Sequence, residues 1–157
     1  MFNAFKYFRF KAFCFYWLPP LLLTGLILLF SGELGSVEYT QAIIKLIWPW
    51  FPSMNGKLAN LLHFFLRKGG HFIIYAMLFV AWVRPLRWAL GFSPLLAIFL
   101  ALMINLGVAL TDEGNQARIE SRTANPRDIL LDISGALTAT LIIFPVLRQA
   151  SVGKNSK

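Results

Sequence analysis

The chain alternates long apolar stretches with short polar ones, and this pattern predicts an all-α integral membrane protein. Four windows approach the roughly 20 apolar residues that a membrane-spanning helix needs. We predict four transmembrane helices, over residues 12–30, 66–83, 92–110 and 129–147. The second is the weakest, because its uninterrupted apolar part, 69–83, covers only about 22 Å of a hydrocarbon core that is roughly 30 Å thick. We therefore expect this helix to extend upstream through residues 61–66.

Between the first two predicted helices lies a long amphipathic connection, residues 31–67. Its aromatic side chains, Trp48 and Trp50 among them, are of the kind found at the level of the lipid headgroups. We therefore predict an interfacial segment here, within a single membrane domain that comprises residues 1–157. The first window also resembles a signal peptide, but the sequence after Phe30 is a poor cleavage site, so we expect the window to remain as an anchor.

The composition and the distribution of charge support and orient this arrangement. The 157 residues are 57% hydrophobic and 14% charged, whereas a soluble domain is about one quarter charged. The N-terminal tail, the loop between helices two and three and the C-terminal tail carry eight basic residues and no acidic one. Because short cytoplasmic loops are enriched in lysine and arginine, both termini are predicted to be cytoplasmic. The other two connections then face outward from a bacterial cytoplasmic (inner) membrane.

The same distribution argues against a nucleic-acid partner. The net charge is +8, but the excess basic residues are spread over three short segments that the positive-inside pattern explains. Membrane lipids, and anionic inner-leaflet lipids in particular, are the expected partners.

Two groups of polar residues lie at the predicted outer ends of the helices, and we expect them to meet. The candidate binding residues are Lys68, Asp112, Gln116, Arg122, Asp128 and Asp132. Asp128 begins the last predicted helix, where a carboxylate can cap free backbone amides. Asp132 lies one turn deeper among apolar residues, where an unpaired carboxylate is costly, so it requires a partner from elsewhere in the fold. The candidates for this partner are Arg118, Arg122, Lys68 and His71.

Few residues offer catalytic or metal chemistry. Neither a His-x-x-x-His pair nor a Cys-x-x-Cys pair occurs, so no metal ion or other cofactor is expected, with a carboxylate site for a hard cation as the alternative. General acid–base catalysis by His71 with Glu113 is the catalytic possibility that stays open. The small residues Gly107, Gly135 and Ala136 indicate close helix packing, and Asn105 is expected to form a hydrogen bond between helices.

The polar residues and their spacing resemble a known family. The residues that carry the resemblance are Arg67, Lys68, His71, Phe72 and Tyr75 before one apolar stretch and Asp112, Glu113, Gln116, Arg122, Asp128, Asp132 and Gly135 before the last. This pattern is similar to that of the VanZ-like family and extends over about residues 61–147. Asn115 stands where members often carry a histidine, which leaves His71 as the main candidate for proton transfer.

The resemblance implies a small helical membrane protein linked to low-level resistance to the glycopeptide teicoplanin, a drug that binds lipid-linked peptidoglycan precursors outside the cell. In a first hypothesis, an outer-face polar pocket binds a lipid-linked peptidoglycan precursor or another anionic lipid. In a second, the protein is a membrane hydrolase or transferase that acts on a lipid-linked substrate through His71 and Glu113. In a third, it is a non-catalytic scaffold whose ion pairs hold the helices together.

Overall fold

The computed structural model describes residues 11–32, 46, 56–119 and 125–152, and every regular element in these ranges is helical. The four main helices are α1 (Leu18–Phe30), α2 (Gly56–Arg84), α3 (Pro94–Gln116) and α4 (Pro126–Val152). A π-helical turn, Pro85–Ala89, follows α2 directly. For the described residues, the predicted all-helical fold is confirmed.

Three of these helical segments are long and apolar enough to cross a membrane. They are Gly56–Ala89, Pro94–Gln116 and Pro126–Gln149. Helix α1 has 13 residues, or about 20 Å, which is less than the roughly 30 Å of a hydrocarbon core. Residues 11–16 are also helical but are separated from α1 by a turn at Trp17. A fourth span and the cytoplasmic location of both termini therefore stay predictions.

Local sequence explains where the helices begin. Helices α1, α3 and α4 each have a proline in the first turn, where the missing backbone N–H costs nothing. The side chain of Ser93 accepts a hydrogen bond of 3.3 Å from an amide of the first turn of α3. Asn125 does the same for the first turn of α4, at 3.1 Å. These side-chain oxygens satisfy amides that have no partner inside the helix.

The helices extend beyond the apolar windows that predicted them. Helix α2 begins ten residues before the predicted start at residue 66, so the expected upstream extension is confirmed and is longer than expected. Residues 56–67 are therefore part of α2 rather than of a separate interfacial segment. The rest of that predicted segment, apart from residues 31–32 and Leu46, lies outside the described residues. Helix α3 continues past residue 110 to Gln116, because its polar last turns find partners in neighbouring helices.

Helix α2 packs against the other three helices, and the interior contains two apolar groups. The larger group surrounds the C-terminal half of α2 and consists of Phe79, Val83, Leu86, Ala97, Ile98, Ala101, Ala136, Ala139 and Leu147. The smaller group lies nearer the N-terminal half of α2 and consists of Ile27, Tyr75, Leu78, Val108 and Ala109. Between α1 and α2, the indole N–H of Trp82 donates a hydrogen bond of 3.1 Å to the hydroxyl of Thr24.

The small residues of α3 and α4 differ in whether they pack against a neighbouring helix. At Gly135 the backbone of α4 touches that of α2, and a Cβ atom there would overlap the carbonyl oxygen of Phe72. Ala136 is fully buried beside it. Gly107, in contrast, is exposed and has nothing within 4 Å of its Cβ position, so the packing role expected for it is wrong. Asn105 donates to the carbonyl four residues earlier in its own helix rather than to another helix.

Candidate functional site

Polar side chains from three helices converge at one end of the bundle. The middle of α2, the C-terminal end of α3 and the N-terminal end of α4 supply them. We call this group the polar cluster; it consists of Arg67, Lys68, His71, Tyr75, Asp112, Glu113, Gln116, Asp128 and Asp132. The two separate groups of polar residues in the sequence therefore meet, as predicted.

Two side-chain pairs join α2 to α4. Lys68 Nζ forms an ion pair with the Asp128 carboxylate. One turn deeper, His71 Nδ1 lies 3.1 Å from an oxygen of Asp132. The two residues on each helix are three or four positions apart and therefore share a face. The partner expected for Asp132 is thus His71 of another helix, while the capping role considered for Asp128 is filled by Asn125.

A second set of hydrogen bonds joins α2 to α3 around Asp112. The hydroxyl of Tyr75 donates to one oxygen of Asp112 at 3.2 Å, and the amide of Gln116 donates to the other at 3.0 Å. Arg67 in turn donates to the side-chain oxygen of Gln116 at 3.4 Å. Arg67 and Tyr75 were not among the predicted binding or catalytic residues. Tyr75 is four residues after His71, and this helical spacing is the sequence signal that could have identified it as a member of the site.

The acidic and basic members of the site lie at different depths. Asp112, Asp128 and Asp132 are only 3%, 6% and 2% exposed. The nearby cations are more accessible: Arg67 and Lys68 are half-buried, and Arg118 and Arg127 are exposed. We call these four cations, Arg67, Lys68, Arg118 and Arg127, the cationic rim. Carboxylates therefore form the interior of this end of the bundle, and cations form its edge.

The predicted acid–base residues take separate positions. Glu113 accepts a hydrogen bond from the backbone N–H of Asn125, which ties the end of α3 to the start of α4. Among the described residues, no hydrogen bond joins Glu113 to His71, whose partner is Asp132. Arg122, predicted as a binding residue, lies outside the described residues. The structure therefore brings together Lys68, His71, Gln116 and all three aspartates of the chain, whereas Glu113 lies in the polar cluster without a hydrogen bond to His71.

Three members of the polar cluster are of the types that bind metal ions. His71, Asp112 and Asp132 each offer one ligand atom, and these atoms all lie within 4.8 Å of one another. They come from α2, α3 and α4 respectively. The imidazole of His71 is also stacked on the ring of Tyr75, with ring centres 6.4 Å apart and planes inclined by 12°.

Comparison with known proteins identifies the family. A family model described as VanZ/LLP1 matches residues 13–148, which is most of the chain. No curated protein and no solved structure matches the chain. The match includes the whole polar cluster and, apart from Gln149, all three helical segments of membrane-spanning length. The chain is therefore a member of the VanZ/LLP1 family, with the helices of a membrane protein.

Proposed function

We propose that the polar cluster and its cationic rim bind an anionic component of the cell envelope, either a phospholipid headgroup or a lipid-linked peptidoglycan precursor. Family membership supports the broader assignment, a VanZ-like membrane protein linked to glycopeptide resistance. The observation that carries the narrower proposal is the layering of charge, in which carboxylates are buried, the cations of the rim are more accessible, and Asp128 pairs with Lys68.

The cations of the rim have more N–H donors than their described contacts use, so they can bind an anion as well. An ammonium group has three N–H donors and a guanidinium has five. Among the described residues, Lys68 forms one ion pair, with Asp128, and Arg67 donates to Gln116. Arg118 and Arg127 are exposed at the same end. Arginine and lysine are the side chains that bind phosphate groups, arginine often with two parallel hydrogen bonds.

The location of the rim connects binding to drug tolerance. The positive-inside pattern favours an outward-facing polar end, because Arg84 and Arg87 lie at the opposite end of α2 with no acidic neighbour in their loop. Glycopeptides act on lipid-linked precursors at the outer face. Binding of a precursor or of a headgroup there would change how much drug target is displayed.

The first test is teicoplanin susceptibility in a sensitive bacterium that expresses the protein. We expect Arg67→Gln to lose the protection given by the wild type, because it removes a rim cation. Arg84→Gln is the matched control, since it removes the same charge at the other end of the same helix. Arg122→Ala tests a binding residue predicted from the sequence alone. Equal protection by Arg67→Gln and Arg84→Gln at matched protein levels would refute the proposal, as would a wild type that gives no protection.

A second candidate function is supported by the contact of His71 with Asp132. A buried carboxylate that binds one nitrogen of an imidazole fixes its orientation, as in many acid–base catalysts. The enzyme would hydrolyse or transfer a group on a lipid-linked substrate, with His71 rather than a pair of His71 and Glu113 at its centre. Turnover of fluorescent lipid-linked substrates by the purified protein should then be lost in His71→Phe. Full turnover in that variant would reject the enzyme.

The scaffold hypothesis makes a different prediction from both. If the polar cluster only holds the helices together, every variant that reduces protection must reduce the yield of folded protein in parallel. Arg67→Gln protein that is as abundant and as monodisperse as the wild type, yet does not protect, would exclude this explanation.

A further inference from the structure

We propose that His71, Asp112 and Asp132 form a binding site for a divalent transition-metal ion, for which Zn²⁺ is the best match. The three ligands come from three different helices, so the site exists only in the folded bundle. This site is distinct from the cationic rim, which consists of other residues.

The geometry of the three side chains fits a metal site. Zinc binds histidine nitrogen and carboxylate oxygen at about 2.0–2.2 Å, which separates neighbouring ligand atoms of a tetrahedral site by roughly 3.3–3.6 Å. His71 Nδ1 and Asp132 Oδ1 are already 3.1 Å apart. All three ligand atoms lie within 4.8 Å of one another. Side-chain rotations that move these atoms by about 1 Å would bring all three within bonding distance of one metal ion. Because no backbone movement is needed, the helices can keep their positions.

The charge of the site provides an independent argument. Asp112 and Asp132 are both more than nine-tenths buried. Among the described residues, the carboxylate of Asp112 accepts hydrogen bonds only from the neutral groups of Tyr75 and Gln116. Asp132 contacts only His71, through one oxygen, so its second oxygen has no donor within the same part of the chain. Among the described residues, no lysine or arginine contacts either carboxylate, and unpaired carboxylates are costly at membrane depth. A divalent ion between them would balance their charge.

The types of ligand select among metals. A site made only of oxygen atoms favours Mg²⁺ or Ca²⁺, whereas an imidazole favours Zn²⁺ and other first-row transition metals. Three protein ligands leave at least one coordination position for another oxygen. A phosphate oxygen of a bound headgroup is a suitable fourth ligand. This fourth ligand rests on the proposed function, whereas the metal site itself does not.

The test is metal binding by the purified full-length chain without added lipid substrate. The protein is stripped with a chelator, incubated with Zn²⁺ and separated from free metal, and bound zinc is measured by mass spectrometry. We expect about one Zn²⁺ per chain for the wild type and at least a tenfold weaker affinity for Asp132→Asn. His71→Phe keeps a ring that can stack on Tyr75 but removes the nitrogen ligand, and it should lose binding as well.

The matched control is Asp128→Asn, which makes the same change one turn away in the same helix, at a carboxylate outside the set. It should retain the stoichiometry of the wild type. Co²⁺ gives a second measurement, because a four-coordinate site that includes His71 should absorb visible light much more strongly than aqueous Co²⁺, and His71→Phe should lack this absorption. A wild type that binds no stoichiometric Zn²⁺, or equal binding by Asp132→Asn and Asp128→Asn, would overturn the metal site. Since lipid binding by the rim is measured separately, neither result decides the proposed function.

Discussion

Gly135 lies where the backbones of α2 and α4 touch, three residues after Asp132 of the polar cluster and against Phe72, which follows His71. We predict that Gly135→Ala destabilises the protein although alanine is the better helix former. An added Cβ atom would overlap the carbonyl oxygen of Phe72 and would lie 3.1 Å from its carbonyl carbon and 3.3 Å from its Cα. All three are backbone atoms, so no side-chain rotation can relieve the overlap.

The size of the effect follows from this geometry. A carbon–oxygen contact across helices needs roughly 3.3–3.6 Å, so α2 and α4 must separate by about 1 Å. Over-packing costs about 1–3 kcal/mol, and a rigid backbone neighbour places Gly135→Ala near the upper end. Because alanine has a higher helix propensity than glycine, the substitution also stabilises the helix by about 1 kcal/mol. The net loss is about 2 kcal/mol, before any weakening of the contacts of Lys68 and His71 with α4.

The assay is thermal unfolding of the purified protein in one detergent. A loss of about 2 kcal/mol corresponds to a decrease of roughly 4–8 °C in unfolding temperature for a chain of this size. Gly107→Ala is the matched control, because it makes the same change in α3 at a position with nothing within 4 Å. It should unfold at or above the wild-type temperature. Equal unfolding temperatures for the two variants would refute the close approach of α2 and α4.

Other predictions concern contacts between helices, all measured by unfolding. Lys68→Met leaves the buried carboxylate of Asp128 without its described partner and should lower the free energy of unfolding by about 3 kcal/mol. The double variant, Lys68→Met with Asp128→Leu, should recover most of this loss. A double variant no more stable than Lys68→Met would contradict the ion pair. Trp82→Phe and Thr24→Val should show a coupling of about 0.6 kcal/mol in a double-mutant cycle, and strictly additive effects would contradict the hydrogen bond. Tyr75→Phe should cost about 1 kcal/mol by removing one donor to a buried carboxylate, and an unchanged stability would argue against that contact.

The contacts among the polar residues could be predicted in part from the sequence, because they depend on the spacing of these residues along each helix. Lys68 and His71 are three residues apart, and Asp128 and Asp132 are four apart, so each pair had to share a face. An isolated carboxylate at the depth of Asp132 required a partner, and His71 provides it. The apolar windows likewise located the helices, because a spanning helix must be apolar over most of its length.

The ends and faces of the helices could not be predicted in the same way. The windows mark apolar depth rather than helix ends, so the polar last turns of α3 and the start of α2 at Gly56 extended beyond them. In a membrane, lipid-facing and buried positions are both apolar, so the pattern does not show which face packs. Gly107 and Gly135 illustrate this: both are small residues in apolar helices, but only Gly135 contacts a neighbouring backbone.

The most direct test of the proposed function is the identity of the lipids that remain bound to the protein. The wild type, a rim variant with Arg67→Gln and Arg118→Gln, and a control with Arg84→Gln and Arg148→Gln are each purified in native-lipid nanodiscs. Co-purifying lipids are then identified by mass spectrometry. We predict that an anionic, phosphate-bearing lipid is enriched with the wild type and the control and is depleted from the rim variant. The same lipids in all three, from equally folded proteins, would contradict anion binding by the rim.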